Sequence, residues 1–324
     1  MGYRGGMVEQ APILPEHTEA LGDGVYAIDT GFQRPRFDAA YLVVEGAHAA
    51  FIDTGTNFAV PRLLEALSAL GLPREAVDYV IPTHVHLDHA GGVGLLMREL
   101  PRATLVCHPR GLRHLIDPTQ LWASATAVYG ETEMQRSYGQ LVNVPTERAM
   151  ASADDMVLDL GGRPLRLIDT PGHAKHHHCI WDGRSRGWFT GDTFGLSYRE
   201  FDVEGRAWAL PTSTPVQFEP EAMKASIQRL LATSPNCMYV THYGRVRDVP
   251  RVAALLIDLI DRMVAVARDA QAERHARLKR ELLAVYADSL RLHGCTLSDA
   301  DVAQLLATDL ELNAQGLEVW LDKR

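Results

Sequence analysis

The chain has 324 residues, 46% hydrophobic and 23% charged, with a formal net charge of −9. That composition is ordinary for a globular protein, and the length suits one large domain plus a small one. The acidic balance argues against a sequence-nonspecific grip on nucleic acid, and no run of about 18 apolar residues exists to span a membrane.

The N-terminal residues 1–12 carry no apolar signal-peptide core, so none is predicted. Cys107, Cys179, Cys237 and Cys295 are scattered, and the first three lie in apolar strand-like runs. They read as reduced, mostly buried thiols of a reducing compartment, with the cytoplasm as the default. Residues 24–29, 40–45 and 49–53 are predicted as the opening strands. An amphipathic helix follows at 57–70, with Val60, Leu63, Leu64, Leu67 and Leu70 on one face and Gly71 as its stop.

Residues 77–81 form a short β-branched run ended by Pro82, the pattern of a buried strand. The next ten residues read Thr-His-Val-His-Leu-Asp-His-Ala-Gly-Gly and place His84, His86, Asp88 and His89 within six positions. Imidazole and carboxylate are the side chains that bind borderline divalent ions. Gly91 and Gly92 allow a tight turn into a helix at 93–100, and residues 104–107 are the next strand.

Residues 108–150 read as a helical insertion, with helices at 110–116 and about 122–141. It is a layer packed on the sheet or a cap over a pocket, for which Trp122, Tyr129 and Tyr138 are the candidate lining residues. Three further strand-like runs then end in donors: 165–169 before His173, 188–190 before Asp192, and 238–240 before His242. Each alone is weak evidence. Together with the motif they make five His and two Asp, enough for two ions with a position left for water. His176, His177 and His178 follow His173 closely. Strand alternation would put His176 and His178 on one side and His177 on the other, with His177 a candidate support for the donors.

Beyond His242 the pattern is helical. Val252, Leu255, Leu256, Leu259, Ile260, Met263 and Val266 fall at helical spacing, a second helix is predicted at 274–292, Ser298 and Asp301 mark the start of a third, and 309–321 is a fourth. These apolar stripes suit packing against the core or against a partner subunit in a homo-oligomer.

The run of motifs Phe51-Ile52-Asp53-Thr54-Gly55, Thr83 to Gly92, Pro171-Gly172-His173, Gly191-Asp192 and Thr241-His242 resembles the metallo-β-lactamase fold superfamily of hydrolases, in the family's order and over residues 20–245. The resemblance implies an α/β fold, an αββα sandwich with a helical insertion, here extended by an all-helical C-terminal region. It implies a catalytic domain at 1–248, with 249–324 as the helical region. It also implies that His84, His86 and His173 hold one divalent ion, Asp88, His89 and His242 a second, that Asp192 bridges them, and that Asp53 supports the site. Zinc is the first expectation for both ions, with iron or manganese as alternatives.

A pair of metals supplies hydroxide at neutral pH, and Asp88 and Asp192 can orient it and take its proton. Tyr198 is a candidate donor to a substrate carbonyl, by analogy with lactone hydrolases that carry a tyrosine soon after the bridging aspartate, though at closer spacing. The expected activity is hydrolysis of a small acyl compound: an ester, lactone or thioester, in the lactonase or glyoxalase II manner. The alternatives are a phosphodiesterase and a mononuclear-iron oxidoreductase like the persulfide dioxygenases. The expected partner is a small molecule, with no nucleic acid and no membrane.

Overall fold

The computed structural model describes residues 12–214, 216–269 and 273–323, and leaves the side chains of Val128 and Tyr129 outside the description. Two sheets form face to face. The first runs in chain order through β1 (Thr18–Gly22), β2 (Val25–Asp29), β3 (Ala39–Glu45), β4 (His48–Ile52), β5 (Val77–Ile81), β6 (Thr104–Cys107) and β7 (Ala149–Ala151). It is antiparallel up to β4 and parallel from β4 to β7. The second holds β8 (Met156–Leu160), β9 (Arg163–Asp169), β10 (His178–Asp182), β11 (Gly187–Gly191), β12 (Cys237–Val240) and β13 (Gly244–Val246), with only β11 and β12 parallel.

Side-chain alternation builds the layers. On β3, Ala39, Tyr41 and Val43 face the second sheet, where they meet Leu165, Leu167, Ile180, Phe189 and Tyr239. Ala40 and Leu42 point the other way, onto α1 (Val60–Ala69), α2 (Leu87–Ala90) and α3 (Val93–Glu99). The second sheet repeats the device. Trp188, Met238 and Val240 leave its outer face and pack with α7 (Pro220–Leu231), α8 (Val249–Asp269), α9 (Arg274–His293), α10 (Asp299–Leu305) and α11 (Ala307–Asp322). One apolar cluster therefore runs from Trp188 to Trp320 without a break. The order is helix, sheet, sheet, helix, with the C-terminal helices in the second helical layer. Among the described residues no helix is long and apolar enough to cross a membrane.

The insertion departs from expectation. After α4 (Pro109–Ile116), the single helix expected at 122–141 is three pieces: α5 (Thr119–Tyr129), α6 (Glu131–Glu133) and a π-helical turn at Met134–Tyr138. Gly130 breaks it, with φ of 81°, a conformation no helix interior accommodates. Ser298 caps α10 as expected, and both hydrogen bonds of its box with Asp301 are present.

Candidate metal centre

All the donors sit at the carboxyl ends of strands, on one rim shared by the two sheets. β4 leads to Asp53, β5 to His84 and His86, and α2 carries Asp88 and His89. From the second sheet, β9 leads to His173, β11 to Asp192 and β12 to His242. A strand that ends at a rim fixes the backbone on one side of the donor, and the packed sandwich fixes the strand.

The side chains converge in two groups. His84, His86, His173 and Asp192 place one donor atom each within 4.8 Å of one another, and so do Asp88, His89 and His242. Asp192 touches both groups. Its Oδ2 lies 3.4 Å from His173 Nε2, while its Oδ1 lies 3.3 Å from His89 Nε2 and 3.8 Å from His242 Nε2. Asp88 Oδ2 is 3.3 Å from His242 Nε2.

Three of the rings are held from behind. His89 Nδ1 is 2.9 Å from Asp53 Oδ2, His242 Nδ1 is 2.9 Å from the Phe37 carbonyl, and His173 Nδ1 is 3.4 Å from the Thr212 carbonyl. A ring that donates through Nδ1 keeps Nε2 unprotonated and aimed forward. Asp53 is fully buried and also accepts from the Thr83 amide and from the hydroxyls of Thr83 and Thr241. It thus ties β4, β5 and β12 together at the rim.

The residues fit a pair of divalent cations. His89 Nε2 and Asp192 Oδ1 are buried with no hydrogen-bond partner among the described residues, although they lie 3.3 Å apart. Such orphans are costly unless something else binds them. Electrostatics agrees. Burial disfavours a charged ring at His89, yet Asp192, Asp88 and Asp53 outweigh it and hold the ring's pKa well above the ordinary imidazole value. His242 is likewise pushed up to about 9, with burial opposing and Asp88 and Asp192 raising it. Around the other group burial and neighbouring imidazoles drive His84 and His86 well below that value. A cluster that demands positive charge at one end and refuses protons at the other suits metal cations rather than protons.

The three consecutive histidines part company. β10 begins only at His178, so the alternation rule does not extend back to His176 and His177. His176 lines the cavity, its ring 5.6 Å from that of His86. His177 is buried, accepts from the Asp192 amide through Nε2 at 3.3 Å, and meets the Thr170 and Thr193 hydroxyls through Nδ1. His178 turns inward to Ser152 and to the Pro82 carbonyl, just ahead of the donor motif. Gly191 permits this crowding, because a Cβ there would lie 2.7 Å from His177 Nε2 and 2.5 Å from Thr83 Oγ1.

A cavity of about 1030 Å³ opens on the donors. Its floor includes His86, Asp88, Asp192 and His242. The insertion contributes Leu121, Ala125, Arg136 and Tyr138, and α11 contributes Thr308, Asp309 and Leu312. Trp122 is one residue along α5 from Leu121 and so faces elsewhere, lining a separate groove with Pro118 and Leu141. Tyr129 falls outside the described side chains. Tyr198 is fully buried beside the cavity; its hydroxyl, offered by the sequence reading to a substrate carbonyl, donates to Asp309 at 3.0 Å. Its ring stacks on Phe37 at 5.2 Å, with the Arg34 guanidinium over both rings. Asp309, Thr212 and Phe37 carry no motif that marks them in the chain. The threonines beside two donor motifs, Thr83 and Thr241, were the legible signal of a supporting network.

A family model described as the metallo-beta-lactamase superfamily matches residues 34–242. The metallo-beta-lactamase fold-containing protein ST1585 of Sulfurisphaera tokodaii is 25% identical over 233 residues, covering 69% of this chain and 79% of its own. The solved structure of ST1585 superposes with a TM-score of 0.64 at 22% identity, over 92% of this chain and 99% of that one. Human acyl-coenzyme A thioesterase MBLAC2 is 28% identical over 184 residues, 54% of this chain and 64% of its own. An atrochrysone carboxyl ACP thioesterase of Aspergillus fumigatus is 28% identical over 195 residues, 59% of this chain and 51% of its own. The matches to the two thioesterases thus span less than two thirds of either relative.

Proposed function

The chain belongs to the metallo-beta-lactamase superfamily, and from that premise we propose that it is a binuclear metal-dependent hydrolase of small acyl substrates, thioesters foremost. His84, His86 and His173 would hold one ion, Asp88, His89 and His242 the other, and Asp192 would serve both. The observation that carries this reading is Asp192, which presents one carboxylate oxygen to each histidine group. Divalent ions bound there supply Lewis acidity, bringing the pKa of water from about 16 toward neutrality and polarising an acyl carbonyl.

The protein's own groups do the rest. Asp88 has about a quarter of its side chain exposed (26%) and lines the cavity floor, where it can accept a proton from the attacking side. Asp192 is buried and held by His177 through its backbone, so its role is to fix spacing. Leu121, Ala125, Tyr138 and Leu312 give the cavity an apolar wall, and an acyl chain buried there gains about 0.8 kcal/mol per methylene. Thioesters lead the substrate class because several relatives bear thioesterase names.

Elemental analysis beside a panel of thioesters, lactones, esters and phosphodiesters tests the proposal. We expect two ions per chain, zinc first, and turnover of thioesters. Asp192→Ala should lose at least about a hundredfold in kcat/KM with a modest fall in thermal midpoint. A stoichiometry that never exceeds one ion, or turnover of phosphodiesters with the acyl series inert, overturns it.

A further inference from the structure

We propose that Asn313, on α11, is a positioning residue of the metal centre: it holds the Thr212 carbonyl on His173 Nδ1 and so fixes that ring's tautomer and aim. The inference rests on the reading of His173 as an ion ligand.

The loop at 211–214 crosses between the cavity and α11. Thr212 and Thr214 line the cavity, and Thr212 supplies the carbonyl 3.4 Å from His173 Nδ1. Among the described residues of the loop, none hydrogen-bonds that carbonyl; the bond within the loop joins the Thr212 and Thr214 hydroxyls instead. Asn313 holds the loop from the far side. Its Oδ1 accepts from the Ser213 amide at 2.7 Å, and its Nδ2 donates to the Pro211 carbonyl at 3.2 Å. Its main-chain carbonyl accepts from the Ser213 hydroxyl at 2.9 Å. The peptides on both sides of Thr212 are therefore restrained by one side chain.

The clamp is itself fixed. Asn313 is 1% exposed, and its second Nδ2 proton goes to the Tyr286 hydroxyl of α9 at 3.0 Å. An amide is suited to this task because it offers an acceptor and two donors from one planar group. One turn further on, Gly316 lets the helix backbone lie against the loop, since a Cβ there would fall 1.3 Å from the Ser213 carbonyl oxygen. Any side chain at 316 must displace the loop that carries Thr212.

Asn313→Ala, Gly316→Ala and, as a control, Leu317→Ala test this. Leu317 is buried in the apolar cluster on the same helix, so its loss should destabilise without touching the loop. Two quantities are read: the His173 tautomer in ion-free, ¹⁵N-histidine-labelled protein, and zinc affinity by chelator competition. Wild type should show a single Nδ1-protonated His173. Asn313→Ala and Gly316→Ala should show mixed tautomers and zinc bound about 10- to 100-fold more weakly, while Leu317→Ala should lower the thermal midpoint and keep both readings. If Asn313→Ala does not fold, Asn313→Asp carries the test, because it keeps the acceptor and loses both Nδ2 donations. A single tautomer with wild-type affinity in the Asn313 and Gly316 variants overturns the proposal, as does an equal loss of affinity in Leu317→Ala. Wild-type protein that takes up no zinc overturns the ligand reading instead, whatever the tautomer shows.

Discussion

Asp309 is a carboxyl group on α11 with 6% of its surface exposed; Tyr198 donates to its Oδ1, and its Oδ2 has no hydrogen-bond partner among the described residues. Burial pushes its pKa from 3.8 up to about 6, against the pull of Tyr198, His242 and Arg34. The folded protein thus holds this proton more tightly than the unfolded chain does. Stability from this group is fully present below about pH 4 and is lost as pH rises through 6, by about 3 kcal/mol across the window. Asp309→Asn keeps an acceptor for Tyr198 and has no proton to lose. Its stability relative to wild type should therefore be flat below pH 4, climb between 4 and 6 and level off above, as read by denaturant unfolding at each pH. A flat difference across the whole range would show that Asp309 does not carry the shift. Nothing near residue 309 in the chain announces this group. Its partner Tyr198 is 111 positions away, and the contact exists only because α11 folds back over the cavity. The donors at 84–89 were legible for the opposite reason: they lie within six consecutive residues, so their proximity is covalent rather than tertiary.

The insertion carries the next lesson, that of which face an element turns. Helical periodicity placed a helix from about 122, overlapping only the later part of α5, and it could not say that Leu121 rather than Trp122 looks into the cavity, because neighbours on a helix point about 100° apart. Nor could it foresee Gly130, which splits the expected helix and lets the π-helical turn at 134–138 bring Tyr138 to the cavity wall. Tyr138 packs against Phe32 with ring centroids 5.6 Å apart. In a thioester series of increasing acyl length, kcat/KM should rise with chain length in the wild type. Tyr138→Ala and Leu121→Ala should flatten that rise, while Trp122→Ala should leave it intact. An undiminished slope in Tyr138→Ala would remove the insertion from the acyl-binding surface. The strands were read to within a residue or two wherever β-branched runs stood between turn residues. Four strands, β1, β7, β8 and β13, were not anticipated, and at β10 three histidines were assigned to a strand that begins only at the last of them.

At the scale of the whole molecule, the apolar cluster that joins the second sheet to α8, α9, α10 and α11 decides what can be removed. A chain cut after Asp248 would bare Ile227, Met238 and Val240 on a face wider than soluble monomers ordinarily expose. We expect such a fragment to aggregate, by light scattering, even with zinc in excess. A fragment that stays monodisperse and binds zinc as tightly as the full chain would show that the sandwich is self-sufficient. The helical tail was readable from its 3.6-residue periodicity after His242, and the sandwich from the resemblance that the motifs carry. Their union was not, because an amphipathic helix shows that it has a face to bury and not which surface buries it.

That union also orders events in time. A ribosome has completed all seven donors once it passes His242, yet the helix that clamps the loop behind His173 emerges only after α8, α9 and α10 have followed. A nascent chain therefore carries every proposed ligand before it carries the proposed brace, and a stalled chain would offer its histidines to a passing cation without that frame.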